Sequence, residues 1–205
     1  MAGPPPPDWE VDPERARAFE IVPGLWQLRL PLPWPDVPHV NAYVLESGEG
    51  ITLVDCGSAG HPSPKEALTR SLEPSGHGPG EVSRLIATHA HSDHVGLAAW
   101  VIAETGCEVR MHPATGAMFD GLREPERVEA LRIRRSRMEG VPEGHLPLFG
   151  DTAEETEGVL EPVEPTSPLG EGDTFSGAGM EWHVIETPGH TPSHLSLLAP
   201  EQGIV

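Results

Sequence analysis

The residues best equipped for chemistry lie in one short segment, Thr88-His89-Ala90-His91-Ser92-Asp93-His94-Val95-Gly96, which carries three imidazoles and a carboxylate. Side chains alternate along an extended chain, so His89, His91 and Asp93 fall on one side. His94 is one residue out of phase and converges with them only if the chain turns into a helix there. Imidazole and carboxylate are the donors that hold zinc, iron or manganese where thiolates are absent, and two adjacent ions can divide such a set. The competing reading is a solvated cluster of surface histidines. It is disfavoured because an apolar run of strand length, 82–88, precedes the segment and a helical one, 95–104, follows it, which is the order a site needs. Gly96 allows close backbone packing at the join.

A second segment, Thr187-Pro188-Gly189-His190-Thr191-Pro192-Ser193-His194, also ends a strand-like run. Pro188 and Gly189 predict a tight turn that presents His190 at a sheet edge. Cys56 and Cys107 lack a CxxC spacing, and so imply neither a disulfide framework nor a thiolate zinc site.

These segments must be positioned by a layered scaffold. Residues 1–18 are Pro-rich and charged and are expected to be a flexible lead-in. Short β-like runs then follow at 19–30, 40–46 and 51–55, which predicts an antiparallel meander. A helix over 65–72, a strand over 82–88, a helix over 95–104 stopped by Gly106, and a strand over 107–111 continue in alternation. That alternation implies an α/β domain with helices packed on a sheet. Residues 124–138 are helical by propensity, and 140–172 are rich in Pro, Gly and acid, so an insertion is expected near 120–172. Strands are expected again at 179–187 and 195–199, with 203–205 opening a further one.

Composition narrows the partners. The chain has 205 residues, 13 Lys plus Arg against 32 Asp plus Glu, and a formal charge of −19. This is the length of one ordinary domain. The acidity argues against nucleic acid, which is bound through a basic face that releases counterions, and against an anionic membrane surface. The start is neither basic nor followed by an apolar segment, no apolar stretch approaches the ~18 residues of a membrane span, and the cysteines are few; a cytoplasmic setting is expected.

Taken together, these segments give the sequence a form that resembles the metallo-β-lactamase fold superfamily. The His-x-His-x-Asp-His motif is matched at His89, His91, Asp93 and His94, and the later histidine at His190 in its Thr-Pro-Gly-His-Thr-Pro setting. Val54-Asp55-Cys56-Gly57 and Asn41-Ala42-Tyr43-Val44-Leu45 are similar to the preceding strands of that family. The resemblance covers 19–205 and implies an αββα sandwich with metals at one edge of the two sheets. It implies that His89, His91 and His190 hold a first metal, that Asp93 and His94 help hold a second, and that zinc is the ion, with iron or manganese as alternatives. Asp55 either orients a ligand imidazole by accepting its free N–H or serves a strand-end turn. The family also carries a bridging aspartate and a further histidine, which are expected beyond Val205, so the sequence reads as lacking the C-terminal part of the sandwich.

The chemistry implied is hydrolysis by a metal-bound hydroxide at a thioester, ester or lactone carbonyl, with Asp93 orienting the hydroxide and accepting its proton. Among the family's branches the sequence looks most like glyoxalase-II-type thioester hydrolases, acting on a small molecule, an anionic one among the candidates. Alternatives are a mononuclear iron enzyme oxidising a persulfide, and a non-catalytic metal-binding domain. Arg123, Arg127, Arg132, Arg134, Arg135 and Arg137 lie on one predicted helix and can recognise an anionic carrier. A solvated face pairing with Glu124, Glu126 and Glu129 is the preferred reading of that run.

Overall fold

The computed structural model describes residues 17–34, 37–60, 62–115, 119, 125–149 and 161–205. Of the lead-in expected over 1–18, residues 1–16 lie outside the described residues, and Arg17 and Ala18 instead open the first strand; 120–124 and 150–160 of the insertion also lie outside the described residues.

Strands β1 (Arg17–Val22), β2 (Leu25–Trp34), β3 (Val37–Ser47) and β4 (Gly50–Val54) form the expected antiparallel meander. Parallel strands β5 (Val82–Ile86), β6 (Glu108–Met111) and β7 (Ser167–Pro168) extend it into a seven-stranded sheet in chain order. Strands β8 (Thr174–Gly177), β9 (Met180–Glu186) and β10 (Leu195–Leu198) make a second, three-stranded antiparallel sheet, ordered β10-β9-β8. Helices α1 (Pro64–Leu72), α2 (Ser92–Val95), α3 (Ala98–Thr105) and α4 (Pro125–Met138) complete the elements.

Alternation along the large sheet sorts its apolar residues to two faces. Val40, Ala42 and Val44 of β3 and Ile51 and Leu53 of β4 meet Leu68 and Leu72 of α1 and Ala98 and Val101 of α3. Leu45, Val54 and Ile86 point the other way, onto Phe175, Met180, Trp182, Val184 and Leu195 of the small sheet. The described residues thus build three successive layers, α, β and β, of the expected αββα sandwich. Each fully buried aliphatic side chain contributes about 1.5–3 kcal/mol of transfer free energy. Trp182 satisfies its one polar atom inside the second core, donating Nε1–H to the Gly177 carbonyl at 3.1 Å.

Two expected elements differ. The helix expected over 95–104 starts only at Ala98, as α3: Val95 closes the short α2, and Leu97, at φ −97° and ψ 4°, interrupts the helical run beside Gly96, where the chain presses against the loop after β4. A Cβ at Gly96 would sit 2.5 Å from the Ala59 nitrogen and 2.5 Å from the Ser92 oxygen. The strand expected from 203 is instead a turn, in which Ile204 folds back to bridge Ala199.

Candidate metal centre

The parallel strands β4 and β5 end at the same edge, so the residues that follow them are delivered side by side. Asp55 follows β4 in the left-handed region, with φ of 59°, a conformation Asp tolerates better than most side chains. Its carboxylate is 4% exposed and serves as the hub of the edge. Oδ1 accepts the Thr88 backbone N–H at 2.9 Å, Oδ2 accepts the Thr88 hydroxyl at 2.8 Å, and His94 Nδ1 lies 2.7 Å from Oδ2. The carboxylate thus holds the His94 ring nitrogen that faces away from the cluster.

Thr88 passes this order on to His89. Its hydroxyl proton is committed to Asp55, so it accepts from His89 Nδ1 at 3.0 Å. That fixes the neutral tautomer with a lone pair on Nε2. His89 is 2% exposed, and its Nε2 is buried with no hydrogen-bond partner. A buried ring nitrogen left without a partner is costly unless something else takes its lone pair.

His91 and His190 turn toward that nitrogen. One ligand atom from each of His89, His91 and His190 lies within 4.8 Å of the others. Ring centroids are 4.7 Å apart for His89 and His91, 5.1 Å for His89 and His190, and 4.5 Å for His91 and His190. His190 reaches the cluster from the other sheet, on the turn between β9 and β10. The Leu195 N–H donates to the Thr88 carbonyl at 2.9 Å, joining the start of β10 to the residue before His89.

His94 and Asp93 stand beside this triad. The His94 ring is 4.1 Å from that of His89, centroid to centroid, and its Nε2 is 3.4 Å from Asp93 Oδ2. The backbone brings them in at the first turn of α2, where the His94 and Val95 N–H groups both donate to the His91 carbonyl. The Cys56 N–H in turn holds the His94 carbonyl at 2.7 Å.

Electrostatics differ across the cluster. Burial, then the charges that His94, His91, His194 and His190 would carry, pull His89 down to about 3, so it is neutral at pH 7. Burial pulls His94 down as well, but the hydrogen bond and charge of Asp55, with the charge of Asp93, outweigh it and leave His94 raised. Neutral imidazoles and an adjacent carboxylate are the state a divalent cation requires, and the orphaned His89 Nε2 gives that cation a place among them.

A further imidazole, His194, also joins the group. Its ring lies 5.1 Å from that of His89, and its Nδ1 is 2.8 Å from Thr187 Oγ1. The sequence signal for it is its place just after the turn. His77 and His183 pair with Glu81 and Glu181 away from the centre. Both cysteines are buried and free, and burial beside Asp55 pushes the Cys56 thiol up. In the arginine-rich helix α4, Arg135 pairs with Glu139 and Arg137 with Glu143, neither of them the glutamates expected from helical spacing. Arg123 and the side chains of Arg127 and Arg132 lie outside the described residues.

A helix-backed pair of sheets that gathers histidines and acids at their common edge is the architecture of a metal-dependent α/β sandwich. Residues 35–205 match the model of the metallo-beta-lactamase superfamily, and the chain belongs to that superfamily. It is similar in structure to a metallo-beta-lactamase family protein of Thermus thermophilus, with 30% identity and a TM-score of 0.75, over 89% of this chain and 57% of that one. A beta-lactamase domain protein of Burkholderia ambifaria shares the fold at 24% identity and a TM-score of 0.63, over 90% of this chain and 53% of that one. A stretch of 56 residues is 43% identical to human metallo-beta-lactamase domain-containing protein 1, covering 27% of this chain and 20% of that protein. The chain therefore spans little more than half the length of its solved relatives. No helix among the described residues is long and apolar enough to cross a membrane.

Proposed function

We propose that the protein is a metal-dependent hydrolase of small molecules, acting at a thioester, ester or lactone carbonyl and most similar in chemistry to glyoxalase-II-type thioester hydrolases. The observation that carries this reading is the convergence of His89, His91 and His190 around a buried, unpartnered His89 Nε2. These three residues would hold one zinc ion, and Asp93 and His94 would help hold a second. Zinc in such a pocket polarises a carbonyl oxygen and lowers the pKa of bound water from 15.7 to about 7.

The protein's own residues supply the rest. Asp93 presents a carboxylate that orients water and accepts its proton, within reach of His94 Nε2. Asp55 and Thr88 hold the ligand imidazoles in the tautomers that leave lone pairs facing the centre. The two free, buried cysteines favour a reducing, cytoplasmic setting. The formal charge of −19 opposes nucleic acid as a partner.

The test is zinc loading followed by turnover of a model thioester, ester and lactone, each with and without chelator. Thioester cleavage that chelation abolishes and zinc restores is expected, and that His190→Ala eliminates. One iron per chain with thiol-dependent oxygen uptake and no hydrolysis would refute the proposal.

A further inference from the structure

The turn that carries His190 is tethered at both ends, and only one tether involves the segment that bears the other histidines. Glu186 and Leu195 are the last paired residues of β9 and β10, so the turn springs from between them. Leu195 is tied to Thr88 through its backbone. Glu186 is tied elsewhere: its Oε1 lies 3.1 Å from Nε2 of His112, the residue that follows β6 in the large sheet.

The state of His112 can be read from its other nitrogen. Nδ1 accepts the Ala114 N–H at 3.0 Å, so in this contact the ring proton sits on Nε2 and is donated to Glu186. The Glu186 end is held in return by Glu171, whose N–H donates to Glu186 Oε1 at 3.3 Å and whose Oε2 accepts the Glu186 N–H at 2.6 Å. The His112 side chain is 16% exposed and that of Glu186 43%, so the contact sits at the rim of the inter-sheet gap.

We infer that His112 is a positioning residue: its hydrogen bond to Glu186 braces β9 against the large sheet and thereby sets the distance of His190 from His89 and His91. This rests on the reading of those three histidines as a metal site. Without the brace, the turn end of β9 keeps its apolar packing, its two bonds to Glu171 and the Leu195 bond, while its far end stays tied by the Ala178 N–H on the Glu46 carbonyl, and the turn can rock about the Leu195 bond. A ligand cluster spanning two sheets is sensitive to such motion, because a donor misplaced by a fraction of an ångström weakens coordination.

Two substitutions separate bracing from mere local structure. In His112→Asn the side-chain oxygen can still accept the Ala114 N–H but nothing reaches Glu186. In His112→Gln the longer amide can donate to Glu186 near the position of Nε2. Cobalt titration of the 205-residue chain and of both variants, read by the ligand-field spectrum, is compared with thermal unfolding of the metal-free proteins. The Asn variant is expected to bind cobalt about 2- to 30-fold more weakly, with a shifted spectrum, and the Gln variant to recover most of the affinity. Equal affinities and spectra in all three proteins, or equal losses in both variants, overturn the brace while leaving the metal site intact. Failure of the unsubstituted chain to bind cobalt overturns the metal reading itself, and the brace with it.

Discussion

Asp55→Asn isolates the orienting role of the buried carboxylate with minimal change of shape. Asparagine also tolerates the left-handed backbone that Asp55 adopts at φ of 59°. The wild-type carboxylate accepts three hydrogen bonds, from the Thr88 N–H, the Thr88 hydroxyl and His94 Nδ1. An amide offers one oxygen in place of two. If that oxygen keeps the Thr88 N–H, the NH2 group faces His94, which must then turn Nδ1 into an acceptor and carry its proton on Nε2. A proton on Nε2 removes the lone pair that faces Asp93 and the centre. Loss of an orienting partner of this kind costs about 10- to 100-fold in metal affinity, or about 1.4–2.7 kcal/mol at 1.36 kcal/mol per tenfold. Stability falls by about 1.5–3 kcal/mol for the charge-assisted bond that is lost. Asp55→Ala would confound the two readouts, since it orphans three donors and removes the short polar side chain that helps the left-handed backbone be tolerated. The tautomer is read directly from the imidazole nitrogens of His94 by nuclear magnetic resonance, metal-free and at a pH where the ring is neutral. The proton should reside on Nδ1 in the wild type and on Nε2 in the variant. A variant that retains the Nδ1 proton and binds zinc as tightly as the wild type refutes the argument.

Other outcomes follow from the same structure. Gly96→Ala should lower stability to urea by about 3 kcal/mol, the upper part of the overpacking range, because the added methyl meets backbone on both sides; a loss within error would contradict the close approach. Hydrogen bonds from Arg84 and Ser167, with the charges of Arg84 and Arg110, hold Glu108 below its ordinary value of 4.5. Its contribution is thus present above pH 4.5 and lost as pH falls through the lower folded value. Denaturant titrations across that window should show a flatter acid limb in Glu108→Gln than in the wild type. Zinc at 100 times its dissociation constant should raise unfolding free energy by about 2.7 kcal/mol, and His190→Ala should remove that increment while leaving the metal-free midpoint nearly unchanged.

The parts of the fold that are legible in the sequence are those fixed by local chemistry. Strict alternation around Val40, Ala42 and Val44 marks a meander strand, and the spacing of His89, His91, Asp93 and His94 marks a ligand loop. The split between α2 and α3 is not legible, because the helical period runs unbroken from Val95 to Glu104. It is broken at Leu97, which leaves the helical region beside the close approach of Gly96 to Ala59, a neighbour supplied by tertiary structure. The pairing of Ile204 with Ala199 escapes sequence reasoning for a similar reason: a three-residue apolar end has no period by which a turn differs from a strand. The braces at His112 and Thr88 join residues far apart in the chain, and spacing carries no record of such pairs. The three donors around Asp55 are brought together by tertiary structure alone, so spacing does not distinguish its two readings.

The geometry of the centre depends on packing that lies outside it. His89, His91, Asp93 and His94 are carried by one loop, and within that loop their separation is set by β5, Asp55 and the first turn of α2. His190 arrives on the other sheet, so its separation from the rest is set by the inter-sheet core of Leu45, Ile86, Phe175, Trp182 and Leu195. Interiors of this density transmit displacement instead of absorbing it. A cavity made at Trp182 should therefore be felt at His190 as well as in stability, whereas one made at Leu68, on the helix-covered face, should change stability and leave the metal affinity close to wild type. That asymmetry follows from which of the two cores separates the histidines.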